Sequence, residues 1–270
     1  MQSLALDGRP GLDSLYAAFA PLRQAGWRQH RVTQQAVDDL TVLPIDAWSK
    51  GGPADHIVIA GIHGREPAGA VALARSVDRL IDWGHDRRIL LLPLLNPWGY
   101  LHHQRYGPSG QSVSDSEHWL GRTEQAACAD AEAITRYLME QSAIAPGAAV
   151  LDLHEDPVYE APDYVFEGRG SYVYVAGDGA AEHPITLRIR QALQASTMPL
   201  VMQGRTRFGE TLDQGLIRNS GDGSVDELLA SRKACSPVIT TELVLRSQTD
   251  PPLQERVAVY CALLEAFFGG

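Results

Sequence analysis

The chain is poor in cysteine: Cys128, Cys235 and Cys261 are the only three among 270 residues, and no two are closely spaced. An odd, sparse set cannot build a disulfide framework and fits a reducing compartment. None stands at a metal-ligand spacing from a histidine, so all three read as small buried apolar residues. Long hydrophobic runs are also missing. The longest, Ile89 to Leu95, contains Pro93 and falls far short of the roughly 20 residues a membrane helix needs. Met1 to Gly11 has no basic start followed by an apolar stretch, so no secretory signal is read there and a soluble, cytoplasmic protein without a membrane partner is expected. Positive charge is scarce too. Lys and Arg number 23 against 33 Asp and Glu, a formal net charge of −10. That balance lacks the basic footprint nucleic acid demands. Repeats, low-complexity segments and interdomain linkers are absent. The oligomeric state leaves no signature.

What is present is an ordinary globular composition, 44% hydrophobic and 21% charged, enough for a full core. Short β-branched or apolar runs at 56–62, 88–95, 148–153, 172–176 and 237–241 read as buried strands. Helical patterns over 11–26, 67–83, 123–141, 186–196 and 254–268 alternate with them. Residues 29–48 can hold one or two edge strands, and Asn96-Pro97-Trp98-Gly99 signals a loop. This alternation predicts a single α/β domain over residues 1–270, with a doubly wound sheet. Two long polar stretches, 100–123 and 203–226, stand outside it. Loops of that length are often functional.

Chemistry-bearing residues gather where the strands are predicted to stop. The run ending at Ile62 delivers His63-Gly64-Arg65-Glu66, the run ending at Leu153 delivers His154-Glu155-Asp156, and the run ending at Thr241 delivers Glu242. Two imidazoles and a carboxylate are one of the recurring ligand sets of catalytic zinc sites, which leave a position for water. The spacing is not His-Glu-x-x-His, which excludes that protease class. Bland roles remain open: His63 as a hydrogen-bonded structural group, Glu66 as a charge at a helix start beside Pro67, and Asp152 as an ordinary buried carboxylate. By the two-residue strand period Asp152 shares a face with His154 and can orient its ring.

His63-Gly64-Arg65-Glu66, Asn96-Pro97-Trp98-Gly99, Arg105, Asp152-Leu153-His154 and Thr241-Glu242 follow in the order seen in the zinc carboxypeptidases. Over about residues 55–265 the chain resembles that metallopeptidase superfamily, which includes the succinylglutamate desuccinylase and aspartoacylase branch. The resemblance implies a mixed, mostly parallel sheet of about eight strands between helices. It implies one zinc ion on His63, Glu66 and His154, with Glu242 as general base and Arg105 steadying the polarised carbonyl oxygen. Zinc would bring the pKa of its water toward roughly 7.

One segment departs from the pattern. Where the family carries Asp-x-Asn-Arg, whose last two residues anchor a substrate carboxylate, this chain has Asp115-Ser116-Glu117-His118. Neither Glu117 nor His118 offers the two-pronged donor of a guanidinium. Glu117, His118 and Asn96 are nonetheless the substrate-binding candidates. Glu117, Glu155 and Asp156 hint at a cationic substrate group, or are merely solvated, and Arg205, Arg207 or Arg218 can restore an anchor for a carboxylate. Tyr159, Tyr164 and Tyr172 can line the pocket or simply pack. Three functions stay open: a peptidase of the carboxypeptidase type acting on a small peptide, a deacylase acting on an N-acyl amino acid, and an idle binding module on the same fold. Imidazole and carboxylate favour zinc without excluding other divalent ions.

Overall fold

The computed structural model describes residues 7–37, 41–107, 114–119, 126–161, 170–218 and 223–269. Helices α1 (Leu12–Ala18) and α2 (Ala20–Gln24) lead into the antiparallel pair β1 (Arg28–Ala36) and β2 (Val42–Lys50). Strand β3 (Ala54–Ala60), helices α3 (Ala68–Arg75) and α4 (Val77–Trp83) and strand β4 (Ile89–Leu92) follow. Short helices α5 (Pro97–His102) and α6 (Asp115–His118), then α7 (Ala129–Arg136), precede the long strand β5 (Ile144–Pro157). Strand β6 (Ser171–Ala176), helix α8 (Pro184–Gln194) and three brief strands, β7 (Gln203–Arg205), β8 (Thr211–Asp213) and β9 (Leu216–Arg218), come next. Helix α9 (Val225–Lys233), strand β10 (Val238–Leu245) and helix α10 (Leu253–Phe268) complete the described elements.

Among the described residues, ten strands form one mixed sheet in the order β1-β2-β4-β3-β5-β10-β6-β9-β8-β7. The expectation of about eight mostly parallel strands is corrected. Parallel pairing is confined to β4-β3-β5-β10 in the centre and to β6-β9. The other five pairings are antiparallel. The extra strands come from the polar stretch 203–226. Its three-residue strands, exposed in β7 and mostly buried in β9, are too short to offer an apolar run to read. The helical pattern at 11–26 splits where Pro21 opens α2, and that at 67–83 splits at Ser76. The loop signal at Asn96 is in fact a helix start: Asn96 Oδ1 accepts from Gly99 N at 2.8 Å, with Pro97 at the first helical position.

The central strands are buried on both faces, as their continuous apolar runs require. One face packs Val58, Leu91, Leu151 and Ile239 against Leu73, Leu80, Ile189, Leu263 and Phe267. The other packs Ile57, Ile59, Leu90 and Val150 against Ile134, Leu138 and Leu229. Among the described residues no helix is long and apolar enough to cross a membrane. Cys235 is buried, Cys128 and Cys261 are half-buried, and all three are free thiols.

Two features of this topology place the site. The chain leaves β3 toward β4 on one side and later returns as β5 on the other. The crevice beyond the carboxyl ends of such a pair is where open α/β sheets bind ligands. Helix α10 then locks β5 from behind. The Arg256 guanidinium pairs with Glu155, both side chains being no more than 1% exposed, and Tyr260 Oη donates to the His154 carbonyl. Glu155 Oε2 also accepts from Ala68 N at 2.9 Å, so one carboxylate ties β5 to the start of α3. Removing the cation from a buried pair strands the partner charge at about 3–5 kcal/mol. Arg256→Leu is therefore expected to lower unfolding stability by that amount, read as a shifted denaturant midpoint; an unchanged midpoint would remove the cross-tie from the account.

Candidate metal centre

His63 and Glu66 lie in the tight loop joining β3 to α3. Two glycines make that loop possible. Gly61 has φ +66°, and a Cβ there would lie 2.6 Å from Leu94 Cδ1. A Cβ on Gly64 would stand 2.0 Å from the backbone carbon of Gly99, which no side chain can do without moving α5. Glu66 N closes the turn onto the His63 carbonyl at 3.0 Å.

His154 and Glu242 come from the sheet itself. They were expected just past strand ends; both in fact lie inside strands, because β5 and β10 keep pairing in register from Val238↔Val150 to Leu245↔Pro157. His154 faces Glu242 directly across that parallel pair, and Glu242 faces Tyr172 of β6 on its other side. The two-residue strand period puts Asp152, His154 and Asp156 in one row beside Thr240 and Glu242.

His63, Glu66 and His154 form a buried group whose ligand atoms all lie within 4.8 Å of one another, an arrangement able to hold a metal ion. His63 Nδ1 is 2.8 Å from Glu66 Oε1, His154 Nδ1 is 3.2 Å from Glu66 Oε2, and the two Nδ1 atoms are 3.2 Å apart. The outer ring nitrogens point at carboxylates. His63 Nε2 is 2.9 Å from Asp115 Oδ1, and His154 Nε2 is 3.3 Å from Asp152 Oδ2 at an ion-pair distance. With a proton on each Nε2 facing its carboxylate, both Nδ1 lone pairs face inward. They meet the oxygens of Glu66, Oε1 at 2.8 Å from His63 and Oε2 at 3.2 Å from His154. Lone pairs crowded in this way repel unless positive charge sits among them. Two imidazole nitrogens and a carboxylate fit a divalent cation of the zinc type.

Electrostatics match this reading. Burial alone would raise the Glu66 carboxyl, but His63 and His154 hold it well below the usual range. The same holds for Asp115, where His63 and Arg105 overcome burial. Burial would depress His154, yet Asp152 and Glu66 push it well above an ordinary imidazole. Glu242 is pushed well up, first by burial and then by Glu66 and Asp156, against His154 and Arg105.

The site opens into a cavity of about 460 Å³ whose lining includes Arg105, Asp115, Asp156, Arg207 and Glu242. Tyr174, Glu210, Asp226 and Thr240 line it as well. Arg105 Nη2 donates to Asp115 Oδ2 at 2.7 Å, and its Nη1 is 3.8 Å from Glu66 Oε1. Three substrate-binding candidates go elsewhere. Asn96 caps α5 and donates from Nδ2 to the Arg105 carbonyl at 2.9 Å. Glu117 closes a capping box with Ser114. His118 is 6% exposed, stacks on Tyr106 at 4.2 Å, and burial lowers it to about 4. None of the three lines the cavity. Glu155 is taken up by Arg256, and Arg218 by Glu182 at the surface. Of the three arginines considered as anchors, Arg207 lines the cavity, with Nε 2.7 Å from Asp156 Oδ1. Tyr172 is buried and donates to Asp156 Oδ2 at 2.8 Å. Tyr159 is not in the lining, and Tyr164 falls outside the described residues.

Sequence reading missed the role of Asp115. Its carboxylate gathers His63 Nε2, Arg105 Nη2 and Tyr106 Oη, the last at 2.5 Å. Its place in a polar stretch rich in His and Arg was the available signal.

No protein-family model matches the sequence, and neither does any curated protein. Solved structures do match. A candidate metallopeptidase from Shewanella baltica superposes with a TM-score of 0.75 at 19% identity, over 95% of this chain and 91% of that one. The chain has a metallo-carboxypeptidase fold. A metallo-carboxypeptidase from Burkholderia cenocepacia matches with a TM-score of 0.59 at 16% identity, over 93% of this chain and 66% of its own. An aspartoacylase family protein from Mesorhizobium loti matches at 0.50 and 20%, over 89% and 67%. Both branches named by the sequence resemblance thus share this fold.

Cation binding has a proton signature. Without an ion, His154 and Glu242 hold protons above their ordinary pKa values. An arriving cation favours the deprotonated ligand and the ionised neighbour. Protons are therefore released at neutral pH, and affinity rises with pH through this range. Calorimetric titration with Zn²⁺ in buffers of different ionisation enthalpy measures the release; buffer-independent heats would contradict these protonation states.

Proposed function

We propose that this chain is a zinc-dependent hydrolase that cleaves an amide bond, with residues 1–270 acting as one catalytic domain. The observation that carries the reading is the convergence of His63 Nδ1, His154 Nδ1 and the Glu66 carboxylate beside Glu242 in one cavity. His63, Glu66 and His154 would hold the ion, which supplies an activated water and polarises the scissile carbonyl.

The chain's own residues do the rest. Glu242 takes a proton from the attacking water and passes it to the leaving amine, as a carboxylate within hydrogen-bond reach can. Arg105 stays charged beside Asp115 and Glu66 and is placed to receive the carbonyl oxygen as negative charge develops. Asp115 and Asp152 hold the two imidazoles in the tautomer that presents Nδ1. Arg207 offers an anionic substrate group its docking point, replacing the arginine that Glu117-His118 lack.

That replacement supports a second reading, an N-acyl amino acid deacylase of the desuccinylase and aspartoacylase type. The segment 115–118 supplies no carboxylate anchor at its usual place, and an aspartoacylase family protein shares the fold. Zinc-loaded protein assayed on short peptides and on N-acyl amino acids distinguishes the two. Turnover of acyl amino acids with inert peptides selects the deacylase, and the reverse selects the peptidase. Glu242→Gln is expected to reduce kcat by about 10²–10⁴-fold while the ion remains bound. Full activity in that variant would remove Glu242 from the mechanism.

A further inference from the structure

We propose that Arg9 is the positioning residue of the metal loop, a role that rests on the reading of His63, Glu66 and His154 as a cation site. Arg9 is far from that loop in sequence, yet its side chain is only 3% exposed and lies against it. Its Nη1 donates to the Gly64 carbonyl at 2.8 Å and to the Tyr100 carbonyl at 2.7 Å. Its Nη2 reaches the Arg65 carbonyl at 3.3 Å and lies 3.3 Å from His103 Nδ1. Gly64 and Arg65 are the two residues between His63 and Glu66, so their carbonyls set where both side chains start.

The guanidinium is itself held. Asp7 accepts Arg9 Nε at 3.0 Å and Nη2 at 2.6 Å, and also takes the Arg9 backbone N–H at 3.1 Å. The plane of Arg9 lies over the Tyr100 ring at 4.8 Å, and Tyr100 Oη donates to the Pro10 carbonyl at 2.8 Å. All five N–H groups of a guanidinium are engaged, in a fixed plane that a lysine ammonium, with three donors on one atom, cannot copy. The backbone of Gly64 also packs against Gly99 and Tyr100 of α5 with no room for a Cβ. The Arg9 fork thus ties the loop to α5, and the geometry of two ligands depends on a residue that touches neither.

The test uses Co²⁺ as a spectroscopic stand-in for zinc, in the full chain and without any activity assay. Chelator competition gives the affinity, and the visible absorption of bound Co²⁺ reports ligand geometry. Arg9→Ala is expected to weaken Co²⁺ binding by about 10–100-fold, as loss of outer partners of metal ligands does, and to shift the visible bands. Arg9→Lys keeps the charge opposite Asp7 and is expected to recover only part of the affinity; it carries the test if the alanine variant does not fold. Arg218→Ala, at the surface pair with Glu182, is the control and should match wild type. Wild-type affinity and spectrum in Arg9→Ala, or full recovery in Arg9→Lys, would overturn the proposal while leaving the metal site standing. A wild-type protein that binds no Co²⁺ would take down both.

Discussion

Lone pairs pointed at one another organise this molecule. His63, His154 and Glu66 each bring a ligand atom within 4.8 Å of the others in a buried place. Such a cluster is repulsive until a cation or shared protons occupy its centre. The surroundings are arranged to keep the lone pairs there. Asp115 and Asp152 occupy the outer ring nitrogens, and the amide of Glu155 donates to Glu66 Oε2 at 3.1 Å. Arg105 and Glu242 line the same cavity, one a cation and the other a carboxyl whose proton affinity burial raises.

Holding these groups together requires ties between segments that are remote in sequence. Glu155 links β5 to the first turn of α3 and to α10. Tyr260 fixes the His154 carbonyl from the same helix. The parallel pairing of β5 with β10 aligns His154 with Glu242. Buried charges, not apolar packing alone, set the positions of the ligand segments, and the sheet's switch point provides the opening between them.

Much of this could be read from residue order. The continuous apolar runs of β3, β4, β5 and β10 announce buried strands, and His63, Glu66, His154 and Glu242 are conspicuous because each follows such a run. The strands β7 to β9 left no trace, since three residues apiece, with Leu212, Leu216 and Ile217 the only apolar ones among them, are too short to show a period. The strand limits at His154 and Glu242 were placed too early, because polar residues lining an internal cavity look like the end of a strand. Asn96, Glu117 and His118 look like substrate contacts by type and proximity, yet the first two spend polar atoms on helix caps and the third stacks its ring on Tyr106.

The central buried strands, the main helices between them and the metal-ligand candidates were legible in sequence alone, because apolar periodicity and ligand chemistry are local properties. Tertiary structure alone decided what surrounds them: that Asp115 bonds His63, that Glu155 pairs with Arg256, that Arg207 reaches the cavity while Arg218 stays at the surface, and that Arg9 bonds the carbonyls of Gly64 and Arg65. The reason is physical. A charged side chain has no fixed role in an extended chain; its role follows from which opposite charge or carbonyl lies within about 3 Å once solvent is excluded, and that neighbour is chosen by the fold.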